Sequence, residues 1–178
     1  VRAFRTCSFF ISCEPPLILG GLKLNRSVLK FGGSSVSDFT KIKNIAEMLK
    51  TRVEQGEELI VVVSAMGKTT DQLMENVSTL TSTPKDQELA LLLTTGEQQT
   101  VSYLSMVLND IGVKAKAMTG YQAGIKTIGH HLKSKIAEIN PDTFNQAFEN
   151  NDVLVVAGFQ GINDEFELTT LGRGGSDT

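Results

Sequence analysis

The sequence predicts an α/β domain, a three-layer α/β/α sandwich built on a mainly parallel sheet. Three observations predict it. Leu59–Val63 and Val153–Ala157 are continuous aliphatic runs without polar alternation, the pattern of strands covered on both faces. Segments with a 3.6-residue apolar period lie between the strand candidates, as the crossovers of a parallel sheet require. Polar, glycine-bearing stretches follow strand candidates at 30–35, 64–70, 158–161 and 172–177. Ligands of such sheets bind outside the carboxyl ends of the strands, so these four stretches are expected to converge on one edge.

The chain has 178 residues, enough for one domain with a sizeable core, and a net charge of −3. No basic run exceeds a pair and no apolar stretch approaches membrane-spanning length, so neither nucleic acid nor a bilayer is an expected partner. Residues 1–24 hold three basic side chains and one acidic, against fourteen and nineteen in 25–178, and they contain both cysteines, Cys7 and Cys13. They are read as a leader or upstream extension, expected to be disordered and outside the fold. The body, 25–178, needs no disulfide and suits a reducing cytoplasm.

Val28–Phe31 forms a short first strand, and Ser37 or Asp38 caps a helix whose apolar positions are Phe39, Ile42, Ile45, Ala46, Leu49 and Val53. Gly56 ends it before the strand at Leu59–Val63. Thr69-Thr70-Asp71-Gln72 resembles a capping box that opens a helix through Leu73, Met74, Val77 and Leu80. Pro84 is expected to start a further helix, interrupted at Thr94-Thr95-Gly96-Glu97 and resumed through Val101, Leu104 and Leu108 until Gly112. Val113–Met118 alternates with lysine, as a half-exposed strand does, and 119–124 is a loop. Asn140–Asn150 is a helix with Pro141 in its first turn and Phe144 and Phe148 on its buried face. After the strand at 153–157, Gly158–Gly161 is expected as a loop and 162–168 as a hairpin turning at Asn163-Asp164.

Four groups of residues carry candidate chemistry. Lys30, delivered by an apolar strand end into Gly32-Gly33-Ser34-Ser35, places an ammonium beside unpaired turn amides, which together favour an anion. Gly172-Arg173-Gly174-Gly175-Ser176-Asp177 combines flexible amides with a guanidinium able to grip a carboxylate or phosphate through two parallel bonds. Glu97 is either a substrate-binding carboxylate or an acid stabilised near a helix start by the dipole. Ser64 and Thr70 are hydroxyl donors or simple caps. Gly67-Lys68-Thr69 lacks the preceding glycine of a P-loop, since position 62 is Val, and the first strand has no G-x-G-x-x-G. A nicotinamide-linked dehydrogenase is therefore disfavoured. His130 and His131 are adjacent without a third ligand at metal spacing.

Taken in order, 30–36, 62–71, 93–97, 158–161 and 169–178 resemble the signatures of aspartate kinases in the amino-acid kinase family. The resemblance spans 27–178 and implies the amino-acid kinase fold, here incomplete, and transfer of a phosphoryl group from ATP, with Mg²⁺ as co-substrate, to L-aspartate. It implies no tightly bound cofactor and no resident metal. Lys30 and Asp177 would be catalytic, and Lys30, Gly32, Gly33 and Ser35 would bind phosphate. Ser64, Thr70, Glu97, Arg173, Gly174, Gly175 and Ser176 would bind the amino acid, Glu97 through its α-ammonium and Arg173 through its α-carboxylate. Ser34 replaces the family's frequent Thr and Ile128 a frequent polar residue. The family continues with a nucleotide-binding half and ACT regulatory modules. A homo-oligomer is expected of the full-length protein, and weak or no activity of 178 residues alone. A non-catalytic amino-acid sensor on the same fold is the alternative.

Overall fold

The computed structural model describes residues 18–19, 22–23 and 25–172. Its elements run β1 (Ile18–Leu19), β2 (Leu22–Lys23), β3 (Asn25–Phe31), α1 (Phe39–Glu54), β4 (Glu57–Val63), α2 (Thr69–Leu80) and α3 (Asp86–Asp110). There follow β5 (Ala115–Met118), β6 (Ile125–Ile128), β7 (Lys135–Ile139), α4 (Pro141–Phe148), β8 (Val153–Ala157), β9 (Gln160–Ile162) and β10 (Leu168–Thr170). β1 and β2 pair with each other.

The main sheet has the order β3-β4-β8-β5, and every pairing in it is parallel. Alternation of side chains explains why its central strands are apolar throughout. Leu59, Val61, Val63, Val153, Val155 and Ala157 form one core with Ile42, Ala46 and Leu49 of α1 and Val101, Leu104 and Leu108 of α3. Leu154 and Val156 turn the other way and pack with Met118, Ala147 and Phe148, where α4 covers the sheet. The expected three layers are thus present. Each such aliphatic side chain, fully buried, contributes about 1.5–3 kcal/mol.

Local chemistry sets the helix boundaries. Asp38 caps α1, its Oδ1 accepting from the Lys41 N–H at 2.9 Å. Asn140 caps α4 by accepting from the Asp142 N–H at 3.0 Å, with Pro141 in the first turn. The Thr69–Gln72 capping box is not formed. α2 begins at Thr69 after Lys68, and the Thr69 hydroxyl instead donates to the Met66 carbonyl at 2.7 Å. Pro84 lies two residues ahead of α3, which starts at Asp86.

The expected break at Thr94–Glu97 is absent, because α3 is one continuous helix of 25 residues. Thr94 and Thr95 return their hydroxyls to the Leu91 and Leu92 carbonyls at 2.8 and 2.7 Å. The polar run is thereby satisfied inside the helix rather than breaking it. Glu97 therefore sits in mid-helix, away from any helix start.

A second sheet, in the order β10-β9-β6-β7, stands beside the first. Within it β6 and β9 are parallel and the other pairs antiparallel. The expected 162–168 hairpin forms between β9 and β10, turned by Asn163, whose Oδ1 accepts from the Glu165 and Glu167 amides at 3.1 and 2.8 Å. The expected 158–161 loop is shorter than predicted, since Gln160 and Gly161 already pair as β9. Among the described residues, no helix is long and apolar enough to cross a membrane.

Candidate functional site at the carboxyl edge of the parallel sheet

Register brings Phe31, Val63 and Ala157 level at the ends of β3, β4 and β8, so the following loops emerge side by side. Backbone bonds then stitch them together. The Ser64 N–H donates to the Phe31 carbonyl at 3.0 Å, Gly158 to Val63 at 2.9 Å and Gly67 to Gly33 at 3.1 Å. A Cβ at Gly33 would lie 2.9 Å from the Ala65 carbonyl oxygen, so only glycine fits there. Gly32 has nothing within 4 Å of such a Cβ, and its carbonyl closes the turn by accepting from the Ser35 N–H at 2.9 Å.

Lys30 is exposed, unlike its neighbours Leu29 and Phe31, which pack toward the α1–α3 core. Alternation sends it to the opposite face of the edge strand β3. Partial desolvation lowers its pKa from the ordinary lysine value. Ser35 is exposed, and Ser64 and Thr70 are half-buried, Ser64 just after β4 and Thr70 in the first turn of α2.

Glu97 is the opposite kind of charge, 3 % exposed in the middle of α3. Its Oε1 accepts from the Ala65 N–H at 3.2 Å, and Oε2, also buried, has no hydrogen-bond partner among the described residues. Burial pushes its pKa up to about 7, against the lowering effect of the Ala65 bond. α3 comes this close to the loop because position 96 is glycine, where a Cβ would lie 2.9 Å from the Ala65 Cβ. The 64–67 loop thus touches Gly33 on one side and Glu97 on the other.

The chain returns to this edge through β9 and β10. The Leu171 N–H donates to the Phe159 carbonyl at 2.9 Å and the Thr170 N–H to the His131 carbonyl at 2.7 Å. Phe159 itself has φ 63°, a left-handed conformation that costs an aromatic residue energy, as Phe166 has with φ 62° in the β9–β10 turn. In the sequence Phe159 and Gln160 had no role beyond their place in the 158–161 motif, and Gln160 is buried between α3 and the 119–124 loop. Arg173, Gly174, Gly175, Ser176 and Asp177 lie outside the described residues. His130 and His131 each meet a carboxylate, Asp86 at 2.9 Å and Glu167 at 2.7 Å.

The α/β/α frame gathers glycine turns and a buried carboxylate at the carboxyl edge of a parallel sheet, which is where domains of this class bind small-molecule ligands. Residues 25–178 match the Amino acid kinase family, and the chain belongs to it. Aspartokinase 2 of Bacillus subtilis is 44 % identical over 151 residues, which are 85 % of this chain and 37 % of that protein. The aspartokinase of Thermus thermophilus is 46 % identical over the same shares of the two chains. Among solved structures, aspartate kinase from Synechocystis superposes with a TM-score of 0.68 at 41 % identity, covering 85 % of this chain and 25 % of that one. E. coli aspartokinase III, crystallised with aspartate and ADP, shares the fold with a TM-score of 0.70 at 20 % identity, over 86 % of this chain and 44 % of that one. The chain thus spans little more than a third of these curated relatives.

Proposed function

We propose that this chain is the amino-acid-binding part of an aspartate kinase, which transfers the γ-phosphoryl group of ATP to the side-chain carboxylate of L-aspartate. One observation carries the reading beyond the relatives' names. The 64–67 loop is fastened both to the Gly33 turn and to Glu97, so an anion-suited turn and a buried carboxylate with one oxygen unpartnered among the described residues are held in one frame.

The residues divide the work. Lys30 neutralises the transferring phosphoryl group, with the Gly32 and Gly33 amides and the Ser35 hydroxyl beside it. Glu97 Oε2 receives the substrate α-ammonium, a partner that offsets the cost of ionising a buried carboxyl. Arg173 takes the α-carboxylate, Ser64, Thr70 and Ser176 donate hydroxyls, the Gly174 and Gly175 amides line the acid, and Asp177 orders the reacting groups. A bond forms between the aspartate side-chain oxygen and the γ-phosphorus as the bond to the β,γ-bridging oxygen breaks, leaving ADP and 4-phospho-L-aspartate.

No general base is needed, because a carboxylate of pKa about 3.9 is already ionised at neutral pH. The barrier lies in bringing one anion against another, which cations and amides relieve. Mg²⁺ enters with ATP as part of that substrate. The absence of cysteine from residues 25–178 suits a cytoplasmic enzyme. The test is ATP-dependent hydroxamate formation by the complete protein. L-aspartate should give the hydroxamate and L-glutamate should not, and a protein that binds aspartate without turnover would instead be a sensor.

A further inference from the structure

Gln160 is 1 % exposed and makes contacts in three directions. Its Nε2 donates to the Thr94 carbonyl of α3 at 3.1 Å. Its Oε1 accepts from the Gly120 N–H, in the turn after β5, at 3.4 Å. Its backbone pairs with Thr170 in the β9–β10 ladder. Gly120 is glycine because a Cβ there would collide with the Gln160 carbonyl group. The Thr94 carbonyl is an internal helix acceptor with a second lone pair to spare, so the amide adds a bond from outside the helix.

These contacts bear on the rotation of α3. Thr94 lies one turn ahead of Glu97, and Gly96 between them rests against Ala65. The helix is therefore held at Ala65 and at Gln160. Thr170, paired to the same residue, stands three positions ahead of Arg173. Its neighbour Thr169 is fixed by a buried hydroxyl cluster, with Thr127 Oγ1 at 2.6 Å and Ser134 Oγ at 3.0 Å.

We infer that Gln160 is a positioning residue, which sets the spacing of Glu97 on α3 from β10 and from the turn after β5, and so fixes the ammonium-binding end of the amino-acid site. The inference rests on the proposed aspartate kinase reading. A side chain that merely filled the core would affect stability alone, whereas one that sets this spacing affects the amino acid and leaves the nucleotide indifferent.

The test uses the complete protein. Gln160→Met keeps the side-chain volume and removes both hydrogen bonds. The expected result is a rise of about tenfold in KM for L-aspartate, equivalent to about 1.4 kcal/mol, with KM for ATP changed by less than about twofold. Loss of thermal stability with both KM values within about twofold of wild type would overturn it. Gln160→Glu is the second variant, since its carboxyl recovers the donor to Thr94 only when protonated. The ratio of its aspartate KM to that of wild type at the same pH should fall between about pH 8 and about pH 6, and a constant ratio contradicts the inference. If the wild type transfers nothing to aspartate, the proposed function fails and positioning is read from amide exchange. Faster exchange over 64–70 in Gln160→Met supports it, and unchanged exchange overturns it.

Discussion

Lys30 and Glu97 carry the two described charges of the proposed site, and their surroundings are opposite. Lys30 ends an edge strand in reach of water, with its pKa only lowered by partial burial. Glu97 is sealed in mid-helix, with one oxygen on the Ala65 amide, the other unpartnered among the described residues, and a pKa pushed up to about 7. An exposed ammonium suits a polyphosphate that arrives and leaves with its own metal. A buried carboxylate near neutrality suits one small cation that must match it, because only the right partner offsets its desolvation.

The contrast can be broken most forcefully at Lys30. Lys30→Met should lower turnover by about 10²–10³-fold, the usual cost of removing one preorganised group that stabilises transition-state charge. Steady-state rates near those of wild type would mean that another cation neutralises the phosphoryl group. Glu97→Gln comes next and should raise KM for aspartate by about tenfold to a hundredfold, since it retains an acceptor for the Ala65 amide but offers no charge to the ammonium.

Its pH dependence sharpens the same contrast. The folded-state pKa of Glu97, about 7, stands above the ordinary glutamate value of 4.5. Between 4.5 and about 7 the native state holds a proton that the unfolded state has lost, so stability falls as pH rises through this window. Denaturant melts should show Glu97→Gln more stable than wild type by about 1–3 kcal/mol at pH 8 and no more stable at pH 4. In catalysis the dependence runs the other way. Wild-type kcat/KM for aspartate should decline as pH drops below about 7, and Glu97→Gln should flatten that limb.

Smaller effects separate the glycines of the lysine turn. Gly33→Ala forces a methyl to 2.9 Å from the Ala65 carbonyl, and overpacking of that kind costs about 1–3 kcal/mol. Gly32→Ala meets open space and should change stability by less than about 0.5 kcal/mol. Thermal melts of the two variants give the comparison directly, and equal losses would contradict the close approach of the two loops.

How much of this was legible in the sequence follows from where the signals arise. β4 and β8 were plain because both their faces are buried, which writes an unbroken aliphatic run. α1 declared its cap as Ser37 or Asp38, of which Asp38 forms it, and α4 declared its start through Pro141 in the first turn, with Asn140 as the cap rather than a helical residue. α3 was misread as broken because Thr94-Thr95-Gly96-Glu97 has no apolar period. Its polar side chains are satisfied by the helix's own carbonyls and by Ala65, and its glycine by a contact with a distant loop. β6 and β7 left little trace, since all five residues of β7 are exposed and β6 is held through partners such as Thr169, 42 residues away.

The site divides similarly. The lysine turn, Glu97 and the hydroxyl donors were visible as residue types at motif spacing. That Glu97 is sealed, and that the 64–67 loop ties it to Gly33, depends on tertiary contacts over more than thirty residues of sequence. The motif 158–161 was visible too, but the contacts of Gln160 were hidden for the same reason, since one glutamine has no periodic or capping signal and its partners belong to α3 and to the turn after β5.

The division of labour between exposed lysine and buried glutamate is tested most directly by the affinity of Lys30→Met for L-aspartate, measured by calorimetry on the complete protein. The account predicts a dissociation constant within about threefold of wild type, because the lysine faces the phosphoryl group and Glu97 the amino acid. A loss of aspartate affinity greater than about tenfold would contradict it, placing Lys30 among the groups that hold the amino acid.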